Sequence, residues 1–156
     1  MMPLESLTSE QLLEIVEIAA REFGTVFVDL PTNWTNWSLS LLARSDLVLL
    51  VTQMSVPSLN RARRQLELLR SQDLHLLDIR IVVNRLEGRL SRTFRLSDIR
   101  EALGRDVSYT IANDHAVMRA AIDRGVPIDE IKRKSAVGKD LDALDEGIAA
   151  ILKLER

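Results

Sequence analysis

The chain has 156 residues, of which 46% are hydrophobic and 28% are charged, and it carries a net charge of −2. This length allows one compact domain with a buried core, and the balanced charge argues against both general disorder and general polyanion binding. The sequence has no cysteine and two histidines, which excludes disulfides and thiolate chemistry and predicts no metal site. No apolar run approaches the roughly 20 residues that cross a bilayer, and the start lacks a signal peptide, so we expect a cytoplasmic protein.

The first predicted element is an amphipathic helix over residues 9–23. Thr8 and Gln11 have the spacing of a capping box, and Gly24 is a stop signal. The helix carries an apolar stripe of Leu12, Ile15, Val16, Ala19 and Phe23. Residues 25–29 are β-branched and aromatic and end before Pro31, which predicts a short buried strand with Asp29 at its carboxyl end.

Three further apolar runs predict strands at residues 47–52, 79–84 and 107–111, each separated from the next by a helical pattern. The helix after the first run is capped by Ser55 and carries Leu59, Ala62, Leu66 and Leu69 on one face. Ser97 with Gly104, and Asn113 with Gly125, bracket two shorter helices. Ser135 begins a last helix with a stripe of Leu141, Leu144, Ile148 and Leu152.

This alternation predicts an α/β protein, a three-layer α/β/α domain with a mostly parallel sheet over residues 1–156. Ligands of such sheets bind beyond the carboxyl ends of the strands. The candidate site therefore comprises the residues that follow each strand: Asp29, Thr52, Asn84 and the residues after Ile111.

Four segments in chain order resemble the ParA/MinD family of P-loop ATPases. They are the run VFVDLP at residues 26–31, the strand at 47–52 entered through Asp46, the run IVVNR at 81–85, and the turn IAND at 111–114 with RGVPI at 124–128. Ala112 stands where the family usually has proline, which predicts a looser turn. The resemblance implies an incomplete ParA/MinD-like P-loop NTPase fold, in which Asp29 is the residue near magnesium and the attacking water.

The same resemblance implies that Asn84, Arg85, Asn113 and Asp114 belong to the cofactor-binding edge, with the Asn84 amide against adenine. An amide offers a donor and an acceptor, so it can recognise a base edge. An equally simple interpretation is that Asn84 only caps a turn, and an aspartate after a strand, such as Asp29, often does the same.

Two segments are similar to the CpaE/TadZ proteins within that family: DLPTNWTNW at residues 29–37 and TQMSVPSL at 52–59. This resemblance implies a role in Flp-type pilus assembly or polar localisation through protein interactions, at the cell pole or the inner face of the membrane. It also implies a homodimer or another protein partner. Trp34 and Trp37 are interpreted as packing residues rather than as a ligand-stacking pair.

Relatives carry a Lys-Gly-Gly-x-Gly-Lys-Thr loop that holds phosphates, and no segment of this sequence matches it. Gly138 and Lys139 are interpreted as the first turn of the last helix. ATP and magnesium are the cofactors of intact relatives, but we expect none for this chain alone and no ATPase activity, because Asp29 has no phosphate to act on. The resemblance thus implies a single domain that lacks the amino-terminal P-loop strand and helix.

Two alternatives remain open at this level. The chain could be part of an ATPase whose phosphate loop lies in a missing amino-terminal region or in another chain. It could instead be a ParA-like nucleic-acid binder that uses two groups of arginines. These groups are Arg61, Arg63 and Arg64, and Arg85, Arg89, Arg92 and Arg95. Because the chain is net acidic, we expect these arginines to form solvated surface and nucleic-acid binding to be weak.

Overall fold

The computed structural model describes residues 8–87 and 95–153. The chain forms two compact units, the first ending at Asp46 and the second beginning at Leu47. The residues at the amino terminus, with Arg89 and Arg92 of the second arginine group, lie outside the described residues. In the described part of the chain, no helix is long and apolar enough to cross a membrane. The prediction of one domain over the whole chain stays a prediction.

The first unit contains helices α1 (Ser9–Glu22) and α2 (Asn36–Leu42), which pack against each other. The predicted capping box is confirmed, because the Thr8 N–H donates to Gln11 Oε1 at 2.9 Å and the Gln11 N–H donates to Thr8 Oγ1 at 3.2 Å. The apolar stripe of α1 is less buried than predicted: no residue of the helix is buried, and Ile15 is 51% exposed. Helix α2 was not predicted from the sequence.

The prediction of a strand over residues 25–29 is wrong. This segment forms no β ladder, and Phe27 within it is 73% exposed. A strand exists only when a neighbour exchanges backbone hydrogen bonds with it. Within the described residues no strand pairs with this segment, so it has the residue types of a strand without a ladder partner.

The second unit contains a parallel three-stranded sheet in the order β1 (Val48–Thr52), β2 (Ile79–Leu86) and β3 (Val107–Ala112). Helix α3 (Val56–Ser71) connects β1 to β2, and α4 (Leu96–Leu103) lies between β2 and β3. After β3 come α5 (His115–Arg124), α6 (Ile128–Ile131) and α7 (Ala136–Leu152). The parallel α/β class is confirmed, although β2 runs to Leu86 rather than ending at Asn84 as predicted.

Both faces of this sheet carry buried side chains, as the continuous apolar runs of parallel strands require. Ile81 and Val83 are fully buried on the face covered by α3 and α4. On the other face, Val82 and Ile111 form a core with Val137 of α7 and Val117 of α5. This gives the helix, sheet, helix layering predicted from the sequence.

The pairing of β2 with β3 is interrupted by two bulges. Ile81 pairs with Val107 but Val82 pairs with Tyr109, so Ser108 is an extra residue of β3. Val83 pairs with Thr110 and Leu86 with Ala112, so β2 has one extra residue within positions 84–85. A bulge bends a strand and redirects its side chains, and here the second one lies at Asn84 and Arg85.

Most predicted helix ends are confirmed. Ser55 and Ser135 cap α3 and α7, and Gly104 and Gly125 end α4 and α5 in the left-handed conformation that glycine favours. Gly138 and Lys139 lie in the first turn of α7, as predicted.

Four details of the helices differ from prediction. Ser97 lies inside α4, because Arg95 occupies the N-cap position and its N–H donates to Asp98 Oδ2 at 2.8 Å. The cap of α5 is Asp114 rather than Asn113, because a carboxylate one position later reaches the Val117 N–H. Leu141 of the last stripe is 37% exposed, and the short helix α6 was not predicted.

Candidate functional site

The carboxyl ends of β1, β2 and β3 lie at one edge of the sheet, because all three strands are parallel and adjacent. The predicted site residues at this edge are Thr52, Asn84, Arg85, Asn113 and Asp114. Asp29 belongs to the first unit, where it is exposed and follows no strand. The candidate site is therefore described below from the second unit alone.

The turn after β1 is held by hydroxyl groups. Thr52, only 2% exposed, places its Oγ1 3.0 Å from Ser58 Oγ, and the Gln53 N–H donates to the same Ser58 oxygen at 3.0 Å. The Ser58 N–H in turn donates to Ser55 Oγ. Short side chains that bind neighbouring backbone groups fix the course of a turn, so this turn has a defined conformation.

Asn84 and Arg85 form the bulge at the end of β2. Arg85 has φ of 56°, the left-handed region that a residue with a Cβ atom rarely adopts. Its N–H donates to Asn84 Oδ1 at 2.8 Å, a local bond that stabilises this conformation. The amide oxygen retains a second lone pair, and the amide nitrogen has two donors with which to bind another group.

The turn after β3 lies against the same bulge. The Asn113 N–H donates to the Leu86 carbonyl oxygen at 2.8 Å, which ties the turn to the end of β2. The next residue, Asp114, caps α5 by accepting the Val117 N–H at 3.2 Å. Asn84 lies near the end of β2 and Asn113 directly follows β3, so both residues lie at this edge of the sheet.

The helix N-termini at this edge are capped by side chains, which leaves fewer backbone N–H groups for a phosphate cradle. Such a cradle needs free backbone N–H groups, and these groups bind phosphate at the start of many helices. Here the Ser55 hydroxyl accepts an N–H in the first turn of α3, and the Asp114 carboxylate does the same in α5. A carboxylate at a helix start also repels an anion.

Side chains that could bind a metal ion are also not grouped together within the described residues. Within residues 8–87 and 95–153, no group of three or more histidine, aspartate and glutamate side chains is arranged to hold a metal. The binding of a cofactor by Asn84, Arg85, Asn113 and Asp114 stays a prediction.

The remaining predicted residues belong to other elements of the chain. Trp34 and Trp37 are half-buried in the first unit. Arg61, Arg63 and Arg64 are exposed on α3, and Arg63 Nε lies 2.9 Å from Glu67 Oε1, which gives the group a local carboxylate as predicted. At the amino end of β2, a side-chain hydrogen bond to Asp78 and the charge of that carboxylate raise the pKa of Arg80.

The sequence did not predict that two further residues take part in the hydrogen bonds at this edge. Ser58 completes the hydroxyl network, and its distance of six positions from Thr52 is the only local signal of that contact. Asp140 accepts the Ala112 N–H from 28 positions away, and no sequence pattern connects the two.

Solved structures with the same fold are ParA/MinD proteins. The ParA-family ATPase from Chlorobium tepidum superposes with a TM-score of 0.77 at 25% identity, covering 86% of this chain and 54% of its own. The MinD cell division protein of Aquifex aeolicus gives 0.78 at 19% identity, with coverages of 92% and 61%. The Pyrococcus furiosus cell division ATPase MinD gives 0.73 at 21% identity, with coverages of 92% and 59%.

The chain therefore has a ParA/MinD-like fold and spans between about half and three-fifths of the length of these structures. No protein-family model matches the sequence, and no curated protein matches it. The coarse part of the sequence interpretation, the ParA/MinD-like fold, is confirmed. The narrower CpaE/TadZ resemblance stays a prediction.

Proposed function

We propose that the chain acts as a ParA/MinD-type, CpaE/TadZ-like protein in Flp-type pilus assembly or polar localisation, through protein interactions rather than ATP hydrolysis. The observation that carries the proposal is the carboxyl edge of the sheet. It keeps polar groups suited to a base, Asn84 and Asn113, while its helix starts are occupied by Ser55 and Asp114. A site of this kind can sense or bind a nucleotide base without the groups that transfer phosphate.

The cellular role is tested in a bacterium that carries the gene and assembles Flp-type pili. Deletion of the gene should abolish surface pili, counted by electron microscopy, and the wild-type gene supplied in trans should restore them. A fluorescent fusion should concentrate at a cell pole. Normal piliation in the deletion strain would contradict the proposal.

Variants of the gene supplied to the same deletion strain distinguish a role through protein interactions from an enzymatic role. An Asp29→Ala gene should restore pili as well as the wild type does, because we propose no phosphate chemistry for Asp29. Asn84→Ala should restore them less well if base recognition at this edge matters. Loss of piliation with Asp29→Ala, at normal protein level, would favour an enzymatic role instead.

A second candidate function is the ATP-binding half of an enzyme whose phosphate loop comes from elsewhere, in the missing amino-terminal region or in another chain. One observation favours it: within the described residues, β1 pairs only with β2, and its other edge has no ladder partner. Val51 of this strand is 57% exposed although its neighbours Leu50 and Thr52 are buried. An apolar edge of this kind is suited to accept another strand.

Fluorescence titration with mant-ATP distinguishes the two candidates. The chain alone should bind the nucleotide weakly. If a second polypeptide supplies the missing strand and loop, adding it should strengthen binding and produce magnesium-dependent phosphate release. Unchanged binding after addition of the protein encoded upstream in the same operon would count against the second candidate.

A further inference from the structure

The last residue of β3 is bound by a carboxylate from a distant part of the chain. The Ala112 N–H donates to Asp140 Oδ2 at 2.7 Å, and the bond is partly buried. Asp140 lies in the second turn of α7, the helix that packs on β3. A hydrogen bond with an ionised acceptor is shorter and stronger than one between neutral groups, and this distance is typical of such bonds.

The bond lies where the chain leaves the sheet for the candidate site. Directly after Ala112, the Asn113 N–H is bound by the Leu86 carbonyl oxygen, and Asp114 caps α5. The turn is therefore attached to β2, to α5 and, through Asp140, to α7. Without Asp140, the turn would lose its attachment to α7 and the Ala112 N–H would lose its partner.

Alanine at position 112 makes this attachment possible. Proline at this position would have no N–H group and could not donate this bond. The sequence alone predicted a looser turn at Ala112. The structure instead shows that the donor released by this alanine is used by Asp140, which restrains the same turn in a different way.

We propose that Asp140 is a positioning residue that holds the turn over residues 112–114 in place for a ligand at the carboxyl edge. The proposal rests on the proposed function only in taking this edge as the ligand site. Asp140 binds the backbone of the turn. Its effect on recognition therefore passes through the placement of Asn113.

Amide hydrogen exchange measured by NMR tests the proposal in the free protein. In Asp140→Ala, exchange of the Ala112 N–H should be roughly tenfold faster or more, because hydrogen bonds to charged groups are among the stronger ones. The signal of Asn113 should shift in the same spectra. Asp142→Ala, an exposed carboxylate two positions further along the same helix, is the matched control and should change neither.

Asp140→Asn provides the conservative rescue, since its amide oxygen still accepts a hydrogen bond. It should keep most of the protection of Ala112 and the wild-type signal of Asn113. If Asp140→Ala fails to fold, Asp140→Leu replaces it, because leucine is close in size to aspartate but accepts no hydrogen bond. Exchange of Ala112 in Asp140→Ala that equals exchange in Asp142→Ala, or an unshifted Asn113 signal, would overturn the proposal.

A ligand titration separates this proposal from the proposed function. If mant-ATP binds to the wild type, binding should weaken in Asp140→Ala and stay unchanged in Asp142→Ala, and equal binding by the two variants would overturn the proposal. If Asn84→Ala leaves binding unchanged, base recognition at this edge fails as a function. The exchange experiment would still decide whether Asp140 positions the turn.

Discussion

Gly147 of α7 packs so closely on Tyr109 of β3 that a Cβ atom at position 147 would lie 2.1 Å from the tyrosine hydroxyl oxygen. Two ring carbons of Tyr109 would lie 2.7 Å from the same atom. Glycine inside a helix costs roughly 0.5–1 kcal/mol relative to alanine, so its presence in α7 needs a reason. The close approach of the tyrosine ring provides one, since α7 must approach β3 to complete the core of Val82, Ile111 and Val137.

The first prediction is that Gly147→Ala destabilises the protein, although alanine is the better helix former. The added methyl group overlaps Tyr109, and forced overpacking costs about 1–3 kcal/mol. The free energy of unfolding, measured with urea, should fall by that amount. In the background of Tyr109→Val the same change should be neutral or stabilising. Higher stability of the single variant would show that the ring moves away freely.

The second prediction concerns the left-handed conformation of Arg85. Glycine adopts φ of 56° without cost, while a β-branched residue there is strongly disfavoured. Arg85→Gly should therefore be more stable than Arg85→Val by about 1–2 kcal/mol in urea unfolding.

The control for this pair is Val51, which is exposed and lies in ordinary strand conformation. There the order should reverse, and Val51→Gly should be less stable than the wild-type valine. If valine is favoured over glycine at both positions, Arg85 does not hold the left-handed conformation in solution.

The third prediction is that the purified chain releases no phosphate from ATP above background with magnesium present. Positioning and charge neutralisation supply nearly all catalysis of phosphoryl transfer. No segment of the sequence matches the phosphate-binding loop, and within the described residues no group of side chains is arranged to hold a metal ion. A coupled phosphate-release assay, with Asp29→Ala prepared in parallel, checks this. Turnover that persists through purification and is lost in Asp29→Ala would contradict it.

The fourth prediction is weak, non-specific binding to DNA. A few arginines on a chain of net charge −2 neutralise few phosphates and release few counterions, so affinity should be low at physiological salt and should change little with salt concentration. Fluorescence anisotropy with two unrelated duplexes measures both affinity and sequence preference. A tight complex at physiological salt, weakened by Arg61→Ala with Arg64→Ala or by Arg89→Ala with Arg92→Ala, would favour the nucleic-acid alternative.

The fifth prediction is self-association through the edge of β1 that has no ladder partner within the described residues. This strand is apolar and carries no lysine, proline or bulge that would discourage pairing. Light scattering at tens of micromolar should show a dimer or larger species. Val51→Lys should shift the population toward monomer, while the neighbouring exposed change Gln53→Lys should not. A wild-type chain that is monomeric throughout this range would disprove this use of the edge.

The sequence predicted the parts of the fold that depend on local pattern. Apolar runs located β1, β2 and β3, and Thr8, Ser55 and Ser135 were identified as helix caps because a cap needs only a short polar side chain at a fixed spacing. These features are determined by neighbours in the chain.

Features determined by distant neighbours were missed. Residues 25–29 have strand composition but no ladder partner, and composition cannot reveal whether a partner exists. The bulge at Arg85 depends on how β2 meets β3, and the contact of Asp140 with Ala112 depends on how α7 lies on the sheet. The sequence was sufficient to place the candidate site residues near the ends of their strands. It was not sufficient to predict the hydrogen bonds that hold them.

The two bulges between β2 and β3 have opposite effects on strand register. The extra residue Ser108 advances β3 by one position, and the extra residue within positions 84–85 of β2 returns the strands to their original offset at Leu86 and Ala112. Deletion of either extra residue alone would turn the following side chains toward the wrong layer. Deletion of both residues together would leave the side chains before and after the bulges facing their present layers. A deletion at one bulge therefore requires a compensating deletion at the other.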